Sequence, residues 1–130
     1  MHPFRKVFEE RDLGAIEALL AESVVFTSPV ATKPYPGKAM TAAILRGSMR
    51  VFEDFRFVRE LAGPDGRDLA FAFAATVNGT DLTGCDFLHF DDEGLIDDVT
   101  IMVRPLAGAN ALAQAMADQF EQIKREALGG

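Results

Sequence analysis

Few residues in this 130-residue chain set an ionisable group among apolar neighbours, and Asp86 in "GCDFLHF" is the clearest of them. In a strand over Asp81 to Phe90, alternation puts Leu82, Gly84, Asp86, Leu88 and Phe90 on one face and Thr83, Cys85, Phe87 and His89 on the other. Asp86 is the one charge on the more apolar face. A carboxyl desolvated there either finds a cation or takes up a proton, because an unpaired buried charge costs far more than protonation at neutral pH. Arg59 is the candidate cation, since it shares parity with Phe55, Phe57 and Leu61 on the preceding strand run. Three roles stay open for Asp86: a structural strut, a ligand contact and a proton-transfer group.

Other candidates stand around it. Ser28, just before Pro29, can position a ligand or a water, or serve only as turn chemistry. No base is placed to activate it as a nucleophile. Tyr35, the only tyrosine, lies in the loop "KPYPG" and either donates its hydroxyl to a ligand or covers the rim of the core. His89 has the parity opposite to Asp86, which argues against a His-Asp dyad within the strand and for a surface or dimer-interface histidine. Phe26, Phe71 and Phe73, with Ile101 on the last strand, complete the expected ligand contacts and imply an apolar cavity for a flat or branched lipophilic molecule. The alternative is a non-catalytic dimeric interaction module whose core is filled by its own phenylalanines.

Those side chains need elements to hold them. Apolar spacing from Phe4 to Leu20, broken near "RDLG", predicts two short helices in tandem, with Asp12 as cap of the second. "SVVFTS", Ser23 to Ser28, reads as a strand, and Pro29, Pro34, Pro36 and Gly37 impose a loop. Met40, Ala43, Ile44, Met49 and Phe52 describe an amphipathic helix over Lys38 to Phe52. Four strand runs follow at hairpin distance: Phe55 to Leu61, Leu69 to Val77, Asp81 to Phe90 and Leu95 to Arg104. The joints "GPDG", "NGT" and "DDEG" are turn chemistry, and the runs make an antiparallel meander. A last helix, marked by Leu106, Leu112, Ala113, Met116, Phe120 and Ile123, begins after Pro105. Helices packed on one face of a bent sheet give an α+β domain shaped as a cone with an apolar interior.

Composition limits the partners. With 48% apolar residues the chain suits one domain over residues 1–130. A formal charge of -7, with 13 Lys and Arg scattered among 20 acids, opposes nucleic acid and anionic membranes. The N-terminus is charged too early for a signal peptide, and the longest apolar run, Leu69 to Val77, is too short to span a bilayer, so a cytoplasmic location is expected. Cys85 is alone and neither His2 nor His89 has zinc-type spacing, so no metal or other cofactor is expected. Ala70, Ala72, Ala74 and Thr76 are small on the sheet face opposite Asp86, and Phe87, Thr100 and Met102 would be exposed there. A homodimer through that outer face is expected.

The order of elements, with "RDLGAIEALLAESVVFTSPV", "PYPGKAM", "VNGTDLTGCDFLHFDDEGLI" and "VTIMVRPL", resembles the nuclear transport factor 2-like superfamily, and within it the SnoaL-like branch of small polyketide cyclases and ketosteroid isomerases. The resemblance implies a cystatin-like roll and a dimer. It specifies function poorly, since the fold hosts several chemistries. The isomerase's base is an aspartate in a "DPV" context, which here reads Ser28-Pro29-Val30. Its oxyanion-hole tyrosine falls on Phe4, while its second oxyanion donor, a protonated aspartate, falls on Asp86. The limonene epoxide hydrolase pattern requires an arginine where Gly84 stands and an aspartate where Ile101 stands. The resemblance therefore implies the fold and one polar anchor, without the usual chemistry.

Overall fold

The computed structural model describes residues 2–129. Three α-helices, α1 (Pro3–Glu9), α2 (Lys38–Val51) and α3 (Leu106–Ala127), accompany six strands: β1 (Leu20–Thr27), β2 (Tyr35–Pro36), β3 (Glu53–Ala62), β4 (Asp68–Val77), β5 (Thr80–Phe90) and β6 (Ile96–Arg104). The strands form one curved, unclosed sheet in the order β2-β1-β6-β5-β4-β3, so the architecture is α+β. Strands β3 to β6 are the antiparallel meander. β1 then joins β6 in parallel, a long-range pairing that no turn signal announces.

The β4–β5 turn follows directly from its residues. Asn78 and Gly79 both take positive φ, 48° and 80°, as a two-residue hairpin of right-handed twist requires. Its regular ladder, Val77 opposite Thr80 through Asp68 opposite His89, keeps Leu69, Phe71 and Phe73 on the same inner face as Asp86 and Leu88.

Two expectations are corrected. The second of the two short helices is 3₁₀ and split in two, Leu13–Ala15 and Glu17–Leu19, and the cap expected of Asp12 fails. Asp12 makes no side-chain cap there, and Gly14 sits inside the first turn. Ile16 alone is driven fully into the core. The second correction concerns β3, which carries register shifts between Glu53 and Arg56 and between Phe57 and Arg59. The extra residue at Val58 resets the alternation, so Phe57 pairs with inward Phe73 while Arg59 pairs with outward Ala72. Arg59 is exposed on the outer face, and the expected Arg59–Asp86 ion pair does not form.

The core lies between the concave sheet face and the helices. On α1, Phe4 and Phe8 are one helical turn apart and meet at 4.6 Å between ring centroids. His2 caps this short helix by accepting from the Phe4 N–H at 3.1 Å. Helices α2 and α3 approach closely at Gly47, where a Cβ would stand 2.7 Å from Ile123 Cδ1. The same pair is clamped by Arg50, which donates to Gln119 at 2.7 Å and to Glu126 at 3.0 Å. No described helix is long and apolar enough to cross a membrane. On the outer face Phe87 and Met102 are exposed, as are Val58 and Leu61, whereas Thr100 is half-buried.

Candidate functional site

The concave face and its helical cover leave a cavity of about 220 Å³ that opens to solvent. Its wall is assembled from distant parts of the chain. β1 and the following loop supply Phe26 and Ser28, β2 supplies Tyr35, β4 supplies Phe73, and Asp86 and Ile101 come from paired positions of β5 and β6. Helix α2 adds Leu45 and Met49, spaced by one turn, and α3 adds Leu112, Met116 and Phe120 at the same spacing. Among the lining residues Val30 is 39% exposed and Met116 and Phe120 are half-buried, which places the mouth between the loop after β1 and one face of α3.

Asp86 is 5% exposed, and its side chain enters the wall between Phe71 on β4 and Ile101 on β6. Among the described residues no donor hydrogen-bonds its carboxyl and no cation lies within ion-pair distance. Burial alone pushes its pKa up from 3.8 to about 8, so the carboxyl is mostly protonated at neutral pH. Cys85, facing the opposite way, has its own pKa raised by burial and by the neighbouring Asp86 charge.

The other candidates fall on either side of the cavity boundary. Ser28 lines the wall, and its Oγ accepts from the Val30 N–H at 3.0 Å, so it both makes the turn and faces the cavity. Tyr35 is half-buried at the wall, tilted against Phe26 with centroids 6.4 Å apart. Phe71 is completely buried but lies behind the wall, packed on Phe4 and Phe57 at 5.4 Å from each. Arg59 lies outside, for the reason given by the β3 bulge. His89 is on the outer face, where its hydrogen bond with Asp97 at 2.7 Å raises the imidazole pKa.

Phe4, Phe8 and Leu45 also line the cavity and were absent from the expected contacts. Helical spacing marked Phe4 and Phe8 as core, but Leu45 lay outside the apolar positions read for its helix, and only the tertiary arrangement says which core residues border a void. Phe4, Ser28 and Asp86 thus stand around one cavity, where an isomerase of this fold would set tyrosine, base and acid. Gly84 excludes an arginine at its position: an added Cβ would meet the Phe73 ring and lie 2.7 Å from the Met102 carbonyl oxygen.

Comparison with known proteins agrees with this architecture. A steroid delta-isomerase from Pseudomonas aeruginosa is similar over 92% of this chain and 87% of its own, at 39% identity and a TM-score of 0.88. An uncharacterised bacterial protein with a cystatin-like fold from Silicibacter pomeroyi is 32% identical over 97% of this chain and 95% of its own, with a TM-score of 0.84. An LEH-like epoxide hydrolase from M. tuberculosis shares the fold at 17% identity, 92% and 86% coverage and a TM-score of 0.60. No curated protein sequence matches the chain. The sequence model of the SnoaL-like domain matches residues 3–99, and the chain belongs to that family of nuclear transport factor 2-like proteins.

Proposed function

We propose that the cavity is the ligand site of a small-molecule-binding protein, and that it takes a lipophilic molecule of one or two rings whose single polar group meets Asp86. The observation that carries this reading is a buried, unpartnered carboxyl on a cavity whose wall is otherwise almost entirely apolar. An apolar cavity of about 150 Å³ is enough to bind benzene, so about 220 Å³ suits a substituted ring or a small bicyclic molecule. A larger ligand would extend through the mouth beside Met116 and Phe120. The open space also favours this reading over a module whose core is filled by its own phenylalanines.

Steroid-type proton shuttling by the usual groups is not part of the proposal, although the Pseudomonas aeruginosa relative carries the name of a steroid delta-isomerase. Ser28 is no base at neutral pH, and Phe4 has no hydroxyl. The test is calorimetric titration with ethylbenzene, together with native mass spectrometry of the purified protein for a carried small molecule. Saturable binding supports the reading. A protein that neither binds ethylbenzene nor carries a ligand contradicts it.

The outer face is proposed as the seat of a second copy of the chain. Its registered rows place Asp98, His89 and Asp68 at one end and Arg104 and Arg56 near the other, just short of Asp81 and Glu53, with exposed Met102, Phe87, Val58 and Leu61 between the first row and the arginines. A twofold axis near the middle of that face would set each acidic row against the partner's arginines and bury the apolar strip. Light scattering should give a dimer that Met102→Asp converts to monomer. A monomeric wild-type protein would refute it.

A further inference from the structure

The proposed ligand needs a polar group, and the surroundings of Asp86 narrow its chemistry. Arg59, the one cation that parity offered, is on the other side of the sheet. Among the described residues lining the cavity, the titratable groups are Asp86 and Tyr35, and none is a Lys, Arg or His. Cys85 faces outward on the same strand, and the paired neighbours Phe71 and Ile101 carry no charge. Both carboxyl oxygens therefore lack a protein donor. A ligand carbonyl could accept the acid's proton but would leave the other carboxyl oxygen unpaired, whereas an ammonium group has donors for both. Phe4, Phe26, Tyr35, Phe73 and Phe120 surround the space with aromatic rings, whose faces attract cations. The formal charge of -7 favours approach of a cation from solution.

From this juxtaposition we infer that the ligand is a lipophilic amine, bound as its ammonium form against the Asp86 carboxylate with its apolar body among the rings. The inference rests on the reading of the cavity as a ligand site. Its proton balance is definite. The empty carboxyl is mostly protonated at neutral pH, so the incoming ammonium displaces that proton to the solvent and an ion pair remains.

The experiment compares three probes of similar size, benzylamine, acetophenone and ethylbenzene, by calorimetry in buffers of different ionisation enthalpy. At about pH 9 benzylamine should bind roughly tenfold or more tightly than ethylbenzene, the advantage of a charge-assisted hydrogen bond over none. At about pH 6 its binding should release about one proton per site, and its affinity should rise with pH until Asp86 is ionised. Asp86→Asn should abolish the preference for benzylamine yet still bind ethylbenzene, which also reports that the variant is folded. If ethylbenzene binds but acetophenone equals or exceeds benzylamine, the amine inference falls and the ligand site stands. If none of the three binds, the ligand site falls with it.

Discussion

Asp86→Asn should change how stability depends on pH more than any other single substitution in this chain. In the unfolded protein the carboxyl titrates near 3.8, whereas in the folded protein burial raises that value to about 8. Between those limits the folded state holds a proton that the unfolded state has released, so stability falls as pH rises. At about 1.4 kcal/mol per pH unit, the loss reaches about 4 kcal/mol by neutral pH and about 6 kcal/mol above the folded value. That is a large part of the ~5–15 kcal/mol that holds a domain together. Asparagine removes the titration and exchanges one unpaired neutral polar group for another, so at neutral pH the variant should gain up to about 4 kcal/mol. Urea unfolding at fixed protein concentration from about pH 5 to pH 9 would measure it, and the difference between wild type and variant cancels the slope from His89, which Asp86 does not influence. The difference should grow steadily with pH and level off near pH 8. Parallel pH profiles for the two proteins would refute the assignment of an unpartnered, buried carboxyl.

Three further substitutions probe the same geometry. Ser28→Asp adds a second carboxyl to the wall of the cavity that Asp86 lines, and should raise α-proton exchange of a small cyclic ketone by about a hundredfold or more, as a positioned base does, read by deuterium uptake. No gain over wild type would show that the two positions do not serve one ligand. Gly84→Ala should cost about 1–3 kcal/mol and weaken ethylbenzene binding, because its methyl group presses the Phe73 ring toward the cavity; unchanged unfolding and binding would contradict that packing. Arg59→Ala should alter the stability of the separated chain by no more than about 0.5 kcal/mol, since Arg59 is exposed and unpaired with Asp86, and a loss of several kcal/mol would restore the buried pair.

Local patterns were legible where the backbone stays regular. Asn78-Gly79 announced its hairpin, and the unbroken β4–β5 ladder made the parity of Asp86 reliable. The same parity rule failed at Arg59 because β3 bulges at Val58, an insertion that neither composition nor turn chemistry reveals. The parallel union of β1 with β6 was also hidden, since such pairing depends on contacts far apart in sequence. Helical spacing identified Met116 and Phe120 as buried-face residues, but whether a buried face meets another side chain or a void is decided only in three dimensions. Hence the inward, buried carboxyl of Asp86 could be read from the chain, while most of the cavity wall around it could not.

The most direct test of the ligand site is the crystal structure of the protein soaked with 4-bromoethylbenzene, with the bromine located by its anomalous scattering. A bromine peak is expected inside the cavity, walled by Phe26, Phe73, Ile101 and Met116 and close to Asp86. A cavity that stays without bromine, or one whose peaks lie only on the outer surface, would contradict the ligand site.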